Sequence, residues 1–237
     1  MVVILSKVLS FLGRGICHQG AAVTFSSDLL TKSNLCKIYM PLCSRCTGIY
    51  IGFIISLIII IFVDHYIKSE APSFKIIIIV IAALLLMGID VALSFYGFIK
   101  PNNYIRFSTG FFAGWTLALL VLPVANNVIW YKAVKKSYLN SKIKSLTWTF
   151  SGLFLWMLFL IIYRFLNYNG VIIFLGIISI IGVITFYAFI ILILFFSIFK
   201  KYRNSVKTTK KHIISFIIGV FISSGLLILS SLLRKFI

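Results

Sequence analysis

The apolar run VIIFLGIISIIGVITFYAFIILILFFSIF, residues 171–199, contains no charged side chain and is longer than one membrane crossing requires. A helix needs about 20 mostly apolar residues to cross the hydrocarbon core of a bilayer. Comparable runs recur along the chain, and 61% of its 237 residues are hydrophobic, against roughly 45–50% in soluble domains. The runs are continuous and do not alternate with a period of two, which indicates helices. The sequence therefore predicts an all-α, polytopic transmembrane bundle.

The apolar blocks predict about six spans, at residues 47–63, 74–98, 104–124, 146–165, 171–199 and 213–233. Residues 1–46 are expected to combine an interfacial helix with a Cys/His module, and residues 47–237 to form the bundle. The helix at 1–15 is too short to span, and its mixture of polar and apolar positions is typical of a helix lying in the interface. No repeat or flexible linker divides the chain, so we expect a single domain overall.

The formal charge of the chain is +19, from 23 Lys and Arg residues against 4 acidic ones. Two linkers, at 126–144 and 200–212, contain many of the basic residues. Cytoplasmic loops collect Lys and Arg, which also meet anionic lipid headgroups. We therefore expect a multi-pass protein of the cell membrane with lipids as partners, no bound nucleic acid, and an extracytoplasmic cysteine module. If each span crosses the membrane once, the start of the first span lies on the same face as the turn between the second and third spans.

All four cysteines lie near the N-terminus: Cys17 in C-H-Q (17–19), Cys36, and Cys43 with Cys46 in C-S-R-C (43–46). A C-x-x-C pair places two thiolates on one tight turn, which suits a tetrahedral metal ion. Cys17 would add a third sulfur, and either His18 or Cys36 a fourth ligand, so the expected cofactor is Zn²⁺. The alternatives are a disulfide or redox-active pair, or small buried thiols without chemistry.

Asp90 lies inside the second predicted span, where an ionisable group is costly and usually marks a site, a pathway or a partner. Arg106 begins the third span just past the intervening turn, so an Asp90–Arg106 ion pair on the face of the thiols is feasible. The candidate catalytic residues are Asp90, Arg106 and His18. The alternatives are that Asp90 is a structural carboxylate and that Arg106 extends its side chain to the lipid headgroups. Gly110 and Gly114, at helical spacing, predict the close approach of another helix.

These motifs resemble a prokaryotic membrane family known as domain of unknown function 2085, over about residues 15–114. The elements that carry the resemblance are C-H-Q (17–19), P-L-C-S-R-C-T-G-I-Y-I-G (41–52), the intramembrane Asp90, and N-x-x-R-x-x-T-G (103–110). The chain departs from the family pattern at 20–26, where an Arg-Ser-Phe-like run is common, and at Val91, where glycine is usual. The resemblance implies which residues form a site and implies no activity.

Two functions are open at this point. One is a membrane-embedded enzyme, in which a zinc-bound water or a thiolate works beside Asp90 on a lipid or membrane-bound substrate. The other is a binding or transport protein, in which a structural metal or a disulfide staples the module and Asp90 with Arg106 forms an ion site. A purely structural membrane component is the third possibility. A catalytic zinc keeps an open ligand position, whereas a structural zinc is closed by four protein ligands.

Overall fold

The computed structural model describes residues 2–17, 40–64, 67–98, 102–131, 133–165, 169–202, 206 and 209–234. These ranges contain seven α-helices, which are α1 (Val2–Arg14), α2 (Ser44–Val63), α3 (Phe74–Phe95), α4 (Asn103–Ile129), α5 (Lys142–Arg164), α6 (Asn169–Ile198) and α7 (Thr209–Leu233). Two short strands, β1 (Lys68–Glu70) and β2 (Val134–Ser137), and a 3₁₀ turn at Lys200–Tyr202 complete the described elements.

The six helices α2 to α7 are each long and apolar enough to cross a membrane. This confirms the prediction of an all-α bundle with six spans and a cysteine cluster near its N-terminal end. The third span is longer than predicted, because α4 continues through Pro123 to Ile129. Proline is tolerated inside spanning helices, where neighbouring helices and side chains satisfy the freed backbone groups. The predicted first helix corresponds to α1, which packs against α6 and α7.

The centre of the bundle is a backbone contact between α2 and α4. Gly48 and Gly52 of α2 face main-chain carbonyls of α4, and Gly110 and Gly114 of α4 face main-chain carbonyls of α2. A Cβ atom at any of these four positions would collide with the backbone of the other helix. Without a hydrophobic force between helices in lipid, such close packing supplies much of their attraction. The approach predicted from Gly110 and Gly114 is therefore confirmed, and α2 is the partner.

The two ends of the bundle have different chemistry. We call the end that contains the starts of α2 and α4 and the end of α3 the thiol face, and the opposite end the lysine face. On the thiol face, Arg45 at the start of α2 bonds to Asp90 near the end of α3, and Ser44 bonds to Asn103 at the start of α4. These bonds confirm the prediction that the start of the first span and the turn between the second and third spans share a face.

On the lysine face, loops that link the helices are joined to one another. Strands β1 and β2 pair in parallel, and a backbone bridge joins Trp130 to Val206. The Asp64 side chain, fully buried just after α2, accepts hydrogen bonds from Lys68 Nζ at 2.8 Å, Lys144 Nζ at 2.5 Å and the Leu139 N–H at 3.1 Å. No strand was predicted from the sequence, because these segments are short and depend on contacts between distant loops.

Candidate functional site

Three cysteines converge on the thiol face. The Sγ atoms of Cys17, Cys43 and Cys46 all lie within 4.8 Å of one another. Cys43 is the N-cap of α2 and Cys46 lies in its first turn, so helix geometry brings their thiols to one side. Cys17 follows α1, and its carbonyl accepts a hydrogen bond of 3.0 Å from Arg234 Nη1 at the end of α7. The cluster thus joins α1 and α2 beside the end of α7.

The thiols are shielded by apolar side chains. Cys17 is 3% exposed and lies in a cluster with Leu42, Tyr50, Val183 and Leu227, which belong to the loop before α2 and to α2, α6 and α7. No disulfide joins Cys17, Cys43 and Cys46 to one another. Hydrogen bonding to the Cys17 thiol, together with burial, raises the pKa of Cys43, which favours protonated sulfur in the absence of an ion. Binding of a metal would displace these protons, and three convergent sulfurs fit a soft tetrahedral ion.

The other two candidate ligands, His18 and Cys36, lie outside the described residues. The choice between them as fourth ligand, and the catalytic role suggested for His18, therefore stay predictions.

Asp90 is paired with a different arginine from the one predicted. Its Oδ2 accepts hydrogen bonds from Arg45 Nη2 at 2.5 Å and Arg45 Nε at 3.1 Å, and Thr109 Oγ1 lies 3.5 Å away. The expected Asp90–Arg106 ion pair is therefore wrong. The glycine contacts bring the first turn of α2 against α4, and Arg45 then lies within reach of α3.

Arg106 lies in the first turns of α4 and is half-buried. Its Nε is wholly shielded from solvent and has no hydrogen-bond acceptor among the described residues. No carboxylate of a described residue forms an ion pair with Arg106. Polar neighbours line this helix end: Ser44 Oγ donates to Asn103 Oδ1 at 3.0 Å, and Thr109 Oγ1 donates to the Arg106 carbonyl at 3.2 Å.

The thiol cluster and the Arg45–Asp90 pair lie on different sides of α2. Cys43 and Cys46 pack toward α6 and α7, whereas Arg45 bonds to α3 and its backbone contacts α4. At about 100° per residue, Arg45 is turned about 100° from Cys46 and about 160° from Cys43, although it lies between them in the chain. The sites share a membrane face and one helical turn, but α2 separates the thiols from Asp90.

Arg45 is the site residue that the sequence analysis missed. The available signal was a second arginine at the start of a span, inside the C-x-x-C motif and on the same predicted face as Asp90. Sequence proximity to the turn between α3 and α4 favoured Arg106 instead.

Comparison with known proteins supports a common core in the first half of the chain. Residues 17–120 match the sequence profile of a family described as "Predicted membrane protein (DUF2085)". An uncharacterised protein of Methanothermobacter thermautotrophicus is 36% identical over 110 residues, which are 45% of this chain and 85% of that protein. An uncharacterised protein of Methanocaldococcus jannaschii is 34% identical over 93 residues, which are 39% of this chain and 58% of that protein. No solved structure matches. The matched region contains the three thiols, Arg45, Asp90 and Arg106.

Proposed function

The chain belongs to this family of membrane proteins of unknown function, and we propose that it is a metal-binding protein of the membrane whose three thiols hold one zinc ion. The convergence of three sulfurs within 4.8 Å is the observation that carries the proposal. Sulfur ligands lie about 2.3 Å from Zn²⁺, so two of them in a tetrahedral site are about 3.8 Å apart. The thiols therefore need only a small contraction to surround an ion.

The surroundings favour a structural ion in a binding protein over a catalytic ion. Asp90, the expected acid or base, is held by Arg45 on the far side of α2 from the sulfurs. A structural ion with His18 or Cys36 as fourth ligand would fasten the end of α1 to the start of α2. The binding function then falls to the charged residues at the ends of α2, α3 and α4 on the thiol face, which are Arg45, Asp90 and Arg106. An ion with an open position, acting on a lipid, is the competing arrangement.

Purified protein is expected to contain about one zinc per chain, which elemental analysis will measure. Replacing Cys43 with serine should abolish tight binding, because it leaves only two of the three clustered sulfurs and removes one of the four ligands of a structural ion. Ser44→Ala, one residue further along, is the matched control and should retain the metal. Folded wild-type protein without bound metal would contradict the proposal.

The identity of the fourth ligand distinguishes a structural ion from a catalytic ion with an open ligand position. If the ion is structural, either His18→Ala or Cys36→Ser should lose zinc, and X-ray absorption of the wild type should show four protein ligands. If both variants retain the wild-type zinc content and the spectrum shows a water ligand, the site is open and the enzymatic arrangement replaces the structural one.

We also propose that the thiol face is extracytoplasmic, because exposed lysines such as Lys135 and Lys136 lie at the opposite end of the bundle. A cysteine introduced at Tyr96, exposed at the end of α3, should react with a membrane-impermeant maleimide in intact cells. A cysteine introduced at Lys136 should react only after permeabilisation, with the wild type as background control. The reverse pattern would invert the topology.

A further inference from the structure

The guanidinium of Arg106 lacks a binding partner in the described structure. Its Nε is shielded from solvent and meets no acceptor among the described residues. A buried donor without an acceptor is destabilising, and such groups are rare in folded proteins. The residue as a whole is only partly buried, so part of its side chain remains accessible. An acceptor supplied from outside the chain would satisfy this group.

The charges around Arg106 also do not balance. Arg45 and Arg106 contribute +2 and Asp90 contributes −1, which leaves a net charge of +1 among these three residues. Viewed along the axis of α4, Arg106 points between the directions of Thr109 and Gly110. Thr109 approaches Asp90, and Gly110 contacts the backbone of Arg45. The surplus charge therefore lies on the side of α4 that packs against α2 and α3. The dipole of the long helix α4, which begins at Asn103, adds to the positive potential there.

We infer that Arg106 binds a phosphate-class oxyanion at the start of α4. The inference rests on the proposed binding function and gives its ligand class. A guanidinium presents a planar fork of donors that matches the oxygens of a phosphate, and it holds that geometry better than an ammonium group does. The start of α4 is at the membrane surface, where the phosphate belongs either to a lipid headgroup or to a free solute. Arg45 is committed to Asp90, so Arg106 is the arginine that receives the ligand.

The test uses full-length, metal-loaded protein in detergent, with inorganic phosphate as one probe. Phosphatidylglycerol in mixed micelles is the second probe, against a phosphate-free galactolipid as its reference. We expect the wild type to bind at least one phosphate-bearing probe, measured by a rise in its thermal unfolding temperature and by calorimetry. Arg106→Gln should weaken that binding about 10- to 100-fold, the range typical of hydrogen bonds to charged groups. Arg164→Gln, which removes an exposed arginine at the same membrane face, is the matched control and should bind as the wild type does.

Each outcome of this test is decisive. Stabilisation by phosphatidylglycerol alone identifies a lipid headgroup as the ligand, and stabilisation by inorganic phosphate identifies a soluble one. Absence of binding to either probe, or equal weakening by Arg106→Gln and Arg164→Gln, overturns the inference. If Arg106→Gln does not fold, Arg106→Lys keeps the charge without the planar fork and should still bind more weakly. Zinc measured in the same samples shows whether the metal proposal fails independently.

Discussion

Replacing Gly114 with alanine is expected to lower the free energy of unfolding by about 3 kcal/mol, the upper end of the range for overpacking a tight contact. The new Cβ would overlap the carbonyl of Ile49, a backbone group that cannot rotate away. The helices α2 and α4 would have to separate along the contact that also includes Gly48 and Gly52. Lipid offers no hydrophobic compensation for the lost van der Waals packing. Unfolding by a denaturing detergent in lipid bicelles will measure the change.

Gly88→Ala is the matched control for this prediction. Gly88 lies inside α3, and a Cβ there would have no atom within 4 Å. Alanine favours a helix over glycine by roughly 1 kcal/mol, so Gly88→Ala should leave the stability unchanged or raise it. A similar loss of stability in both variants would show that a general effect on helices, rather than the α2–α4 contact, is responsible.

The fold could be predicted from the sequence because the bilayer imposes a simple rule. A continuous apolar run such as residues 171–199 must become a spanning helix, and this needs no knowledge of its neighbours. The loops of the lysine face follow no such rule. Strand β1 pairs with β2 from a different loop, and the part-buried ion pair between Asp64 and Lys144 joins residues far apart in the chain. Such contacts depend on which helices are neighbours, and composition does not specify that.

The same distinction explains the outcome at the candidate site. Cys43 and Cys46 are predicted to lie together because one helical turn fixes their spacing. The partner of Asp90 depends on the packing of three helices. Proximity in the chain favoured Arg106, whereas the structure pairs Asp90 with Arg45. The glycines at 48 and 52 repeat the four-residue spacing of Gly110 and Gly114, and pairing the two sets would have placed α2 against α4.

The proposed metal site and the Arg45–Asp90 pair both involve the first turn of α2. Arg45 lies between two thiols that would be fixed by an ion, so binding of metal would immobilise the turn that carries it. Residues that hold a binding side chain in place determine the orientation of that side chain. The proposed ion would keep Arg45 paired with Asp90, so that Arg106 stays available to bind an anion.

Asp64→Asn is expected to lower the free energy of unfolding at pH 7 by about 3 kcal/mol, the lower end of the range for breaking a buried ion pair. The lower end applies because Lys144 remains 38% exposed and keeps part of its hydration, whereas Lys68 is nearly buried. Glu70→Gln, two residues beyond Lys68, is the matched control. Glu70 is exposed and forms no ion pair with a described residue, so its replacement should have no measurable effect.

The effect of Asp64→Asn should diminish in acid, and the pKa of the carboxylate gives the direction. Burial alone would raise the pKa of Asp64, but hydrogen bonds from Lys144, Lys68 and the Leu139 N–H outweigh it and lower the pKa below its ordinary value. The stabilisation is therefore complete above the unfolded-state pKa of about 3.9 and fades as the pH falls through the lower folded-state pKa. Unfolding measured at pH 7 and near pH 3 should show a large difference between wild type and variant at pH 7 and a smaller one in acid. A difference that is equal at both pH values would mean that the amide disturbs packing and that the charge of Asp64 does not hold the lysine face together.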